Sequence, residues 1–259
     1  MSKIEKEIQA PSKVKTILVS QPAPPKDKSP YYDLERKYKV KVDFRPFIHV
    51  EGLTASELRK QRIHILEHTA VIFTSRHAVD HFFRLCEETR VTVPETMKYF
   101  CISEAVAYYM QNYVVYRKRK IFFGKQRFAD LVDIIKKHKQ ERFLLPCSDI
   151  YKPSMPKMLE DINVRFTIGI FYRTVASDLS DLADIKYDML VFFSPSGIKS
   201  LYKNFPGFEQ DGTRIAAFGP STAKAISEAG LRLDVPAPTP ESPSMTKAIE
   251  EYIKKVNKR

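Results

Sequence analysis

Short apolar runs alternate with amphipathic stretches along nearly the whole chain, the pattern of strands handing over to helices. The apolar runs predict strands over Thr16–Ser20, Val40–Phe44, Ala70–Thr74, Tyr99–Ile102, Val114–Tyr116, Phe143–Pro146, Phe166–Tyr172, Met189–Phe193, Arg214–Phe218 and Arg232–Val235. Stretches with helical periodicity predict helices over Ala55–Glu67, Arg76–Thr89, Glu104–Gln111, Phe128–Lys137, Ser154–Asp161, Ser196–Asn204, Ser221–Ala229 and Ser244–Lys255. A serine or threonine stands just ahead of several of them, as an N-cap should. Proline-rich Ala23–Pro30 and Ala237–Pro243 read as loops. Such alternation argues for α/β layers.

The two halves repeat one another. Ala70-Val-Ile-Phe-Thr-Ser-Arg-His-Ala-Val79 resembles Leu190-Val-Phe-Phe-Ser-Pro-Ser-Gly-Ile-Lys199, each an apolar strand breaking into a helix at hydroxyl residues. Further on, Phe100-Cys-Ile-Ser-Glu-Ala-Val106 and Ala217-Phe-Gly-Pro-Ser-Thr222 do the same. Two similar α/β units are the economical explanation. The strand–helix–strand segment before about Arg45 is too small to bury a core, and the region after Tyr172 is also incomplete. Joined, they give one discontinuous domain of residues 14–46 plus 173–257, with 50–168 inserted as a second domain and 1–13 as a flexible N-terminal tail. Extended crossings at Pro46–Val50 and Gly169–Tyr172 link the two, and a cleft between such domains is the default ligand site.

Composition narrows the function classes. Of 259 residues, 43% are hydrophobic and 29% charged, which excludes a disordered chain. No apolar run is long enough for a membrane span, and Met1–Pro11 lacks the apolar core of a secretory signal. Cys86, Cys101 and Cys147 are odd in number and widely spaced, which fits reduced thiols in a cytoplasm. The eight glycines form neither GxGxxG nor a P-loop, so the common phosphate-cradling loops are missing. The net charge of +12 is local: Tyr113–Arg142 carries ten Lys/Arg against three Asp/Glu, and most of the rest lies in the two tails. A localised anion site follows more naturally than a surface that coats nucleic acid. Tyr116, Phe122 and Phe123 interleave with Lys and Arg over Arg117–Arg127, but alternating residues on a basic edge strand explain that pattern equally well.

His64-Ile-Leu-Glu67-His68 matches the H-x-x-E-H metallopeptidase spacing, which on a helix puts both histidines on one face. A third carboxylate ligand cannot be assigned to it, and helix-end histidines are the commoner meaning. His77 and His81 are also four apart. The strand-to-helix turns Thr74-Ser75-Arg76, Ser194-Pro195-Ser196-Gly197 and Gly219-Pro220-Ser221-Thr222 are more informative. Hydroxyls there accompany free helix N–H groups and the positive dipole end, which bind carboxylates without any glycine loop. N-capping explains any one of them. Three, spread over two repeated units, suggest a ligand with several negative groups.

In order and spacing, Ile72-Phe-Thr-Ser-Arg-His-Ala-Val79, Leu145-Pro-Cys-Ser148, Phe171-Tyr-Arg-Thr174, Phe192-Phe-Ser-Pro-Ser-Gly197 and Ala217-Phe-Gly-Pro-Ser-Thr-Ala223 resemble the uroporphyrinogen-III synthase family. The resemblance runs from Ile17 to about Tyr252. It implies two similar three-layer parallel-sheet α/β domains joined by a two-stranded β linker, with the active-site cleft between them. It also implies a cyclising lyase that takes hydroxymethylbilane, a linear tetrapyrrole with eight carboxylates, and uses no metal or organic cofactor. A monomer acting in the cytoplasm on a small molecule, with no nucleic-acid or membrane partner, is expected. By resemblance Tyr172 is the catalytic candidate, and Ser75, Arg76, Ser103, Ser194, Ser196, Ser221 and Thr222 are the candidates for binding substrate. The basic block offers an attraction for so acidic a ligand.

The chain departs from the family at several positions. Ser20-Gln21-Pro22 stands where Thr-Arg-Pro is usual, and the Gly-x-x-Thr of the first repeat reads Ser103-Glu104-Ala105-Val106. Position 106 therefore lacks a hydroxyl, and Glu104 adds negative charge. These departures motivate the alternative of a non-catalytic two-domain binder or sensor of an anionic tetrapyrrole-like ligand.

Overall fold

The computed structural model describes residues 13–25, 29–183 and 185–257. The expected tail over 1–13 lies, up to residue 12, outside the described residues. In chain order the elements are β1 (Thr16–Val19), α1 (Pro30–Tyr38), β2 (Lys41–Phe44), β3 (Ile48–Gly52), α2 (Ala55–Lys60), β4 (Ala70–Phe73), α3 (Arg76–Glu88), β5 (Lys98–Cys101), α4 (Glu104–Tyr109) and β6 (Ile121–Phe123). There follow α5 (Phe128–Lys136), β7 (Arg142–Ser148), α6 (Ser154–Asp161), β8 (Arg165–Ala176), β9 (Met189–Phe192), α7 (Pro195–Asn204), β10 (Arg214–Phe218), α8 (Pro220–Glu228), β11 (Val235–Ala237) and α9 (Met245–Asn257).

Two compact units result: the described residues up to His49 together with those from Val175, and Val50–Thr174. The first holds a five-stranded sheet in the order β11-β10-β9-β1-β2, all parallel. The other sheet runs β3-β8-β7-β4-β5-β6, with β4 to β8 parallel to one another along the sheet. The protein is α/β with two largely parallel sheets flanked by helices, as the alternation predicts. Superposing β9-β10-β11 and β1-β2 on β4-β5-β6 and β7-β8 gives one sheet order for both units. The repeat is therefore a circular permutation, which the discontinuous first unit accommodates.

Each sheet is buried on both faces, and period-two alternation sorts its residues. Ala70, Ile72, Phe100, Phe143, Leu145 and Cys147 point to the side of α5 and α6, and Val71, Phe73, Tyr99, Cys101 and Leu144 to the side of α3. In the first unit Ile17, Val19, Met189 and Val191 face α9, while Leu18, Leu190, Phe192 and Ile215 face α7 and α8.

Three predicted elements are corrected. The helix expected over Ala55–Glu67 stops at Lys60, because Arg62 adopts a left-handed φ of 55° that breaks the α-helical run. His64 is then extended, and a single 3-10 turn covers Ile65–Glu67, so His64 and His68 do not share a helical face. Instead His68 Nδ1 lies 3.0 Å from the His64 carbonyl oxygen. Val114–Tyr116 is not a strand; Val115 is 78% exposed, and Ile121–Phe123 takes the edge beside β5. The last strand lies at Val235–Ala237, later than Arg232–Val235, where it pairs with Ala216–Phe218.

Burial holds His68, His81 and His138 below the ordinary histidine value. The unfolded chain therefore binds more protons at mildly acidic pH, and the stability these neutral rings contribute above about pH 6.5 declines as pH falls toward their folded values. Thermal melts are expected to show a lower Tm at pH 5.5 than at pH 7.5, and replacing His138 with Phe to reduce the difference.

Candidate active site

A parallel strand delivers its chain at one edge of the sheet, and the next helix starts there with its N–H groups unpaired. In the second unit, β4 lies between β5 and β7, so successive connections diverge at the ends of β4 and β7. Such a switch point is the usual binding crevice of an open α/β sheet. Ser75 follows β4 at this place and N-caps α3, its Oγ accepting from Ala78 N–H at 3.1 Å. The same hydroxyl lies 3.2 Å from the Tyr172 phenol oxygen.

Tyr172 reaches Ser75 because β8 carries one extra residue. Cys147 pairs with Ile170 but Ser148 pairs with Tyr172, which leaves Phe171 as the bulged position. Side chains on a regular strand alternate, yet Phe171 and Tyr172 both join the cluster on the α3 face. Asp149 secures the bulge: its N–H donates to the Tyr172 carbonyl at 3.1 Å, and its Oδ1 accepts from Thr174 N–H at 3.0 Å. Gln61 holds the strand just before it, donating to the Ile170 carbonyl and accepting from Ile170 N–H. Just after it, Arg173 donates to Glu57, whose carboxyl is drawn down to about 2 by the Thr54 N–H and hydroxyl and by this guanidinium.

Tyr172 is 8% exposed, and burial pushes its phenol above the ordinary tyrosine value, opposed by the Ser75 hydrogen bond. The phenol is therefore protonated at neutral pH. Its ring stacks on His81 with centroids 5.3 Å apart, and His77 lies 6.3 Å away. Arg76, the first residue of α3, is exposed and its guanidinium lies 5.2 Å from the centroid of the Tyr109 ring.

Ser103 occupies the equivalent place after β5 and makes no side-chain cap bond, so its hydroxyl is not committed to α4. Glu104 is exposed, and Val106 is buried in the core cluster at 7%. In the first unit β9 hands over to Ser194, whose Oγ accepts from Gly197 N–H at 3.3 Å. Gly197 is fixed by close packing, since a Cβ there would stand 3.1 Å from the Phe192 ring. Ser196 is half-buried in the first turn of α7. The corresponding cap of α8 is Gly219 at φ 87°, with Ser221 exposed beyond it. Thr222 is turned inward and 1% exposed, and its hydroxyl has no hydrogen-bond partner among the described residues.

The structure thus brings Ser75 and Tyr172 into contact, and places Arg76 and Ser103 after neighbouring strands at the same sheet edge. Ser194, Ser196, Ser221 and Thr222 share the equivalent edge of the other sheet. The basic block does not follow them. Arg117, Lys118, Arg119 and Lys120 precede β6, and Lys136, Lys137, Lys139 and Arg142 lie between the end of α5 and the start of β7, at the opposite edge; only Lys125 and Arg127 follow β6. Connections alternate edges in a parallel sheet, so adjacency in sequence did not mean adjacency to the site. Among the described residues no group of three His, Cys, Asp or Glu converges on a metal position.

Asp149 at the bulge, Gly52 at the end of β3 and Arg84, whose guanidinium donates to the Leu53 carbonyl, lie around Tyr172 and carry no motif. The four-residue spacing of His77 and His81 is the signal in the sequence that leads toward the two imidazole rings beside Tyr172.

These features define an α/β protein of two permuted units whose polar groups gather at the helix starts, with a buried phenol at one switch point. The sequence model of uroporphyrinogen-III synthase HemD matches residues 31–247, and the chain belongs to that family, an enzyme family of the cyclising lyase type acting in tetrapyrrole biosynthesis. It is 24% identical to the uroporphyrinogen-III synthase of Chlorobaculum parvum, an alignment covering 93% of this chain and 100% of that one. Among solved structures it is similar to uroporphyrinogen-III synthetase from Helicobacter pylori, with a TM-score of 0.58, 15% identity and coverage of 93% and 99%. A mutant uroporphyrinogen III synthase from Thermus thermophilus gives a TM-score of 0.52 at 14% identity, covering 95% and 100%. No helix of the described residues is long and apolar enough to cross a membrane.

Replacing Ser75 with Ala removes both the cap of α3 and the phenol's partner. A loss of about 1 kcal/mol is expected in urea unfolding, the usual cost of an N-cap.

Proposed function

We propose that this chain cyclises hydroxymethylbilane to uroporphyrinogen III, inverting the last pyrrole ring and releasing water. The observation that carries the reading is the protonated phenol of Tyr172, buried beside the cap of α3 and hydrogen-bonded to Ser75. Loss of the substrate hydroxyl needs a proton at the leaving oxygen. The Tyr172 O–H donates there, the carbon–oxygen bond breaks toward oxygen, and water departs from a cationic pyrrole intermediate. Attack by the substituted carbon of the last ring forms the spirocycle. That ring's old bond then breaks, it rejoins inverted, and loss of a proton restores the pyrrole and the proton balance. Helix starts carry the acidic periphery: backbone N–H groups with Ser75, Arg76 and Ser103 in one unit, and with Ser194, Ser196, Ser221 and Thr222 in the other. Much of the rate comes from holding the chain in the folded conformer and keeping water from the cation. We assign the enzyme to the cytoplasm as a monomer, with no nucleic-acid or membrane partner.

Val106 and Glu104 favour a second reading, a binder that has lost turnover, because the first unit keeps its Gly-Pro-Ser-Thr turn while the second does not. Supplying hydroxymethylbilane and separating the isomers decides between them. Type III product supports the synthase, while the spontaneous type I isomer alone, with saturable binding, supports the binder. Tyr172→Phe is expected to lower kcat about a hundredfold with KM little changed, the low end of general-acid effects. Unaltered turnover removes the phenol from the mechanism. Thr222→Val is expected to stabilise the fold by about 1 kcal/mol, by relieving a buried hydroxyl without a partner, while leaving KM unchanged because residue 222 meets the substrate through its backbone N–H. A melt and a KM measurement read the two outcomes separately.

A further inference from the structure

Beneath Tyr172 lies a set of side chains that the proton-transfer step does not itself use. His81, on the second turn of α3, lays its ring against the phenol at 5.3 Å with planes 25° apart, within the range of favourable aromatic pairs. Arg84, one turn further on, points its Nε–H at His81 Nδ1 over 3.4 Å. The same guanidinium donates to the Leu53 carbonyl at 2.6 Å and pairs with Glu88. Gly52, at the end of β3, leaves the space for this arrangement. A Cβ there would come within 2.6 Å of His81 Nδ1 and nearer still to an Arg84 guanidinium nitrogen. The end of β3 and α3 therefore meet at one imidazole nitrogen, while β8 brings Tyr172 against the ring face.

An Nδ1 that accepts a hydrogen bond cannot carry a proton, so the ring is neutral with its hydrogen on Nε2. We propose that His81 is a positioning residue for Tyr172: Arg84 fixes it as the neutral Nε2–H tautomer, and its ring face holds the phenol against Ser75. The inference rests on the reading of Tyr172 as proton donor. It adds a reason for neutrality, since the reaction develops positive charge beside the phenol, and an imidazolium there would repel it. Arg84 does not impose the same penalty, because Glu88 and the Leu53 carbonyl engage it. Around His81 the charged or titratable groups are His77, Asp80 and Arg84 on α3 and Tyr172 on β8; burial, Arg84 and His77 favour the neutral ring, and Asp80 opposes them. Acidification protonates Nδ1, ejects Arg84 and loosens the stack.

The test uses the full chain with 15N-labelled histidine, the His81 signals being assigned by their loss in His81→Phe. At pH 7.5 the long-range 1H–15N pattern is expected to be that of neutral Nε2–H, titrating below 6.5, with Arg84→Met mixing the tautomers. A charged ring or an Nδ1–H pattern at pH 7.5 overturns the proposal. With hydroxymethylbilane, His81→Ala is expected to lower kcat for the type III product about tenfold with KM within about twofold. His81→Phe, which keeps a ring but cannot titrate, recovers kcat to within about threefold of the wild type and flattens its acid limb. Gly52→Ala reproduces the alanine variant by displacing the ring. Equal kcat and equal acid limbs in all variants overturn the positioning role. Wild-type protein that yields only the type I isomer overturns the synthase reading and this role together, whereas the tautomer spectrum then still reports whether Arg84 locks the ring.

Discussion

A parallel strand must return by a crossover, so the strands of both sheets other than β2, β3 and β8 pass into helices at the same sheet edge. That constraint concentrates unpaired N–H groups and positive dipole ends along one border of each unit, where no glycine-rich loop is required. In a chain with eight glycines, Ser75, Ser103, Ser194 and the Gly219 turn stand beside such groups. Because the permuted units share a sheet order, the same edge recurs in each, from strands far apart in sequence.

The constraint explains why Tyr172 differs from the chain's other tyrosines. Helix starts offer hydrogen-bond donors, but an N–H group is no proton source for a leaving hydroxyl. A side chain has to be brought to the same edge, and β8 does so by a bulge that lets Phe171 fill the core while Tyr172 reaches the cap of α3. Asp149, Gln61 and Arg173 hold the strand on both sides of that position, and the stacked histidines hold the ring. The phenol is constrained from backbone and side chain alike, as the proposed proton transfer to one particular oxygen demands.

What was legible in the sequence followed from local periodicity. Buried parallel strands such as Ala70–Phe73 and Met189–Phe192 are near-continuous apolar runs, and their serine caps stand immediately after them. Ser75 and Ser194 could be named for that reason, and Tyr172 from the family resemblance of Phe171-Tyr-Arg-Thr174. The extra residue at Phe171 was not legible, because a bulge is defined by the partner strand and not by the residues that form it. Nor was the Gly52–Arg84 approach, which joins the end of one strand to a helix thirty residues later. The interruption at Arg62 depends on a left-handed backbone at a residue type that gives no warning of it. The basic block misled because a linear count of charge says nothing about which sheet edge receives it.

The departures from the family pattern weigh less once placed in the fold. Val106 lies on the inner side of a six-residue helix and packs into the core, so the loss of its hydroxyl alters a side chain turned away from solvent. The Thr222 hydroxyl is equally buried in the first unit, where the pattern is intact. What α4 presents outward is its backbone N–H groups and the uncommitted Ser103 hydroxyl, which do not depend on residue 106. Glu104 does oppose an acidic ligand, but it is exposed and screened by solvent, whereas Arg76 stands at the start of the helix following the adjacent strand. The balance at this edge is set by helix starts and the Tyr172–Ser75 pair, all of which the substitutions leave in place.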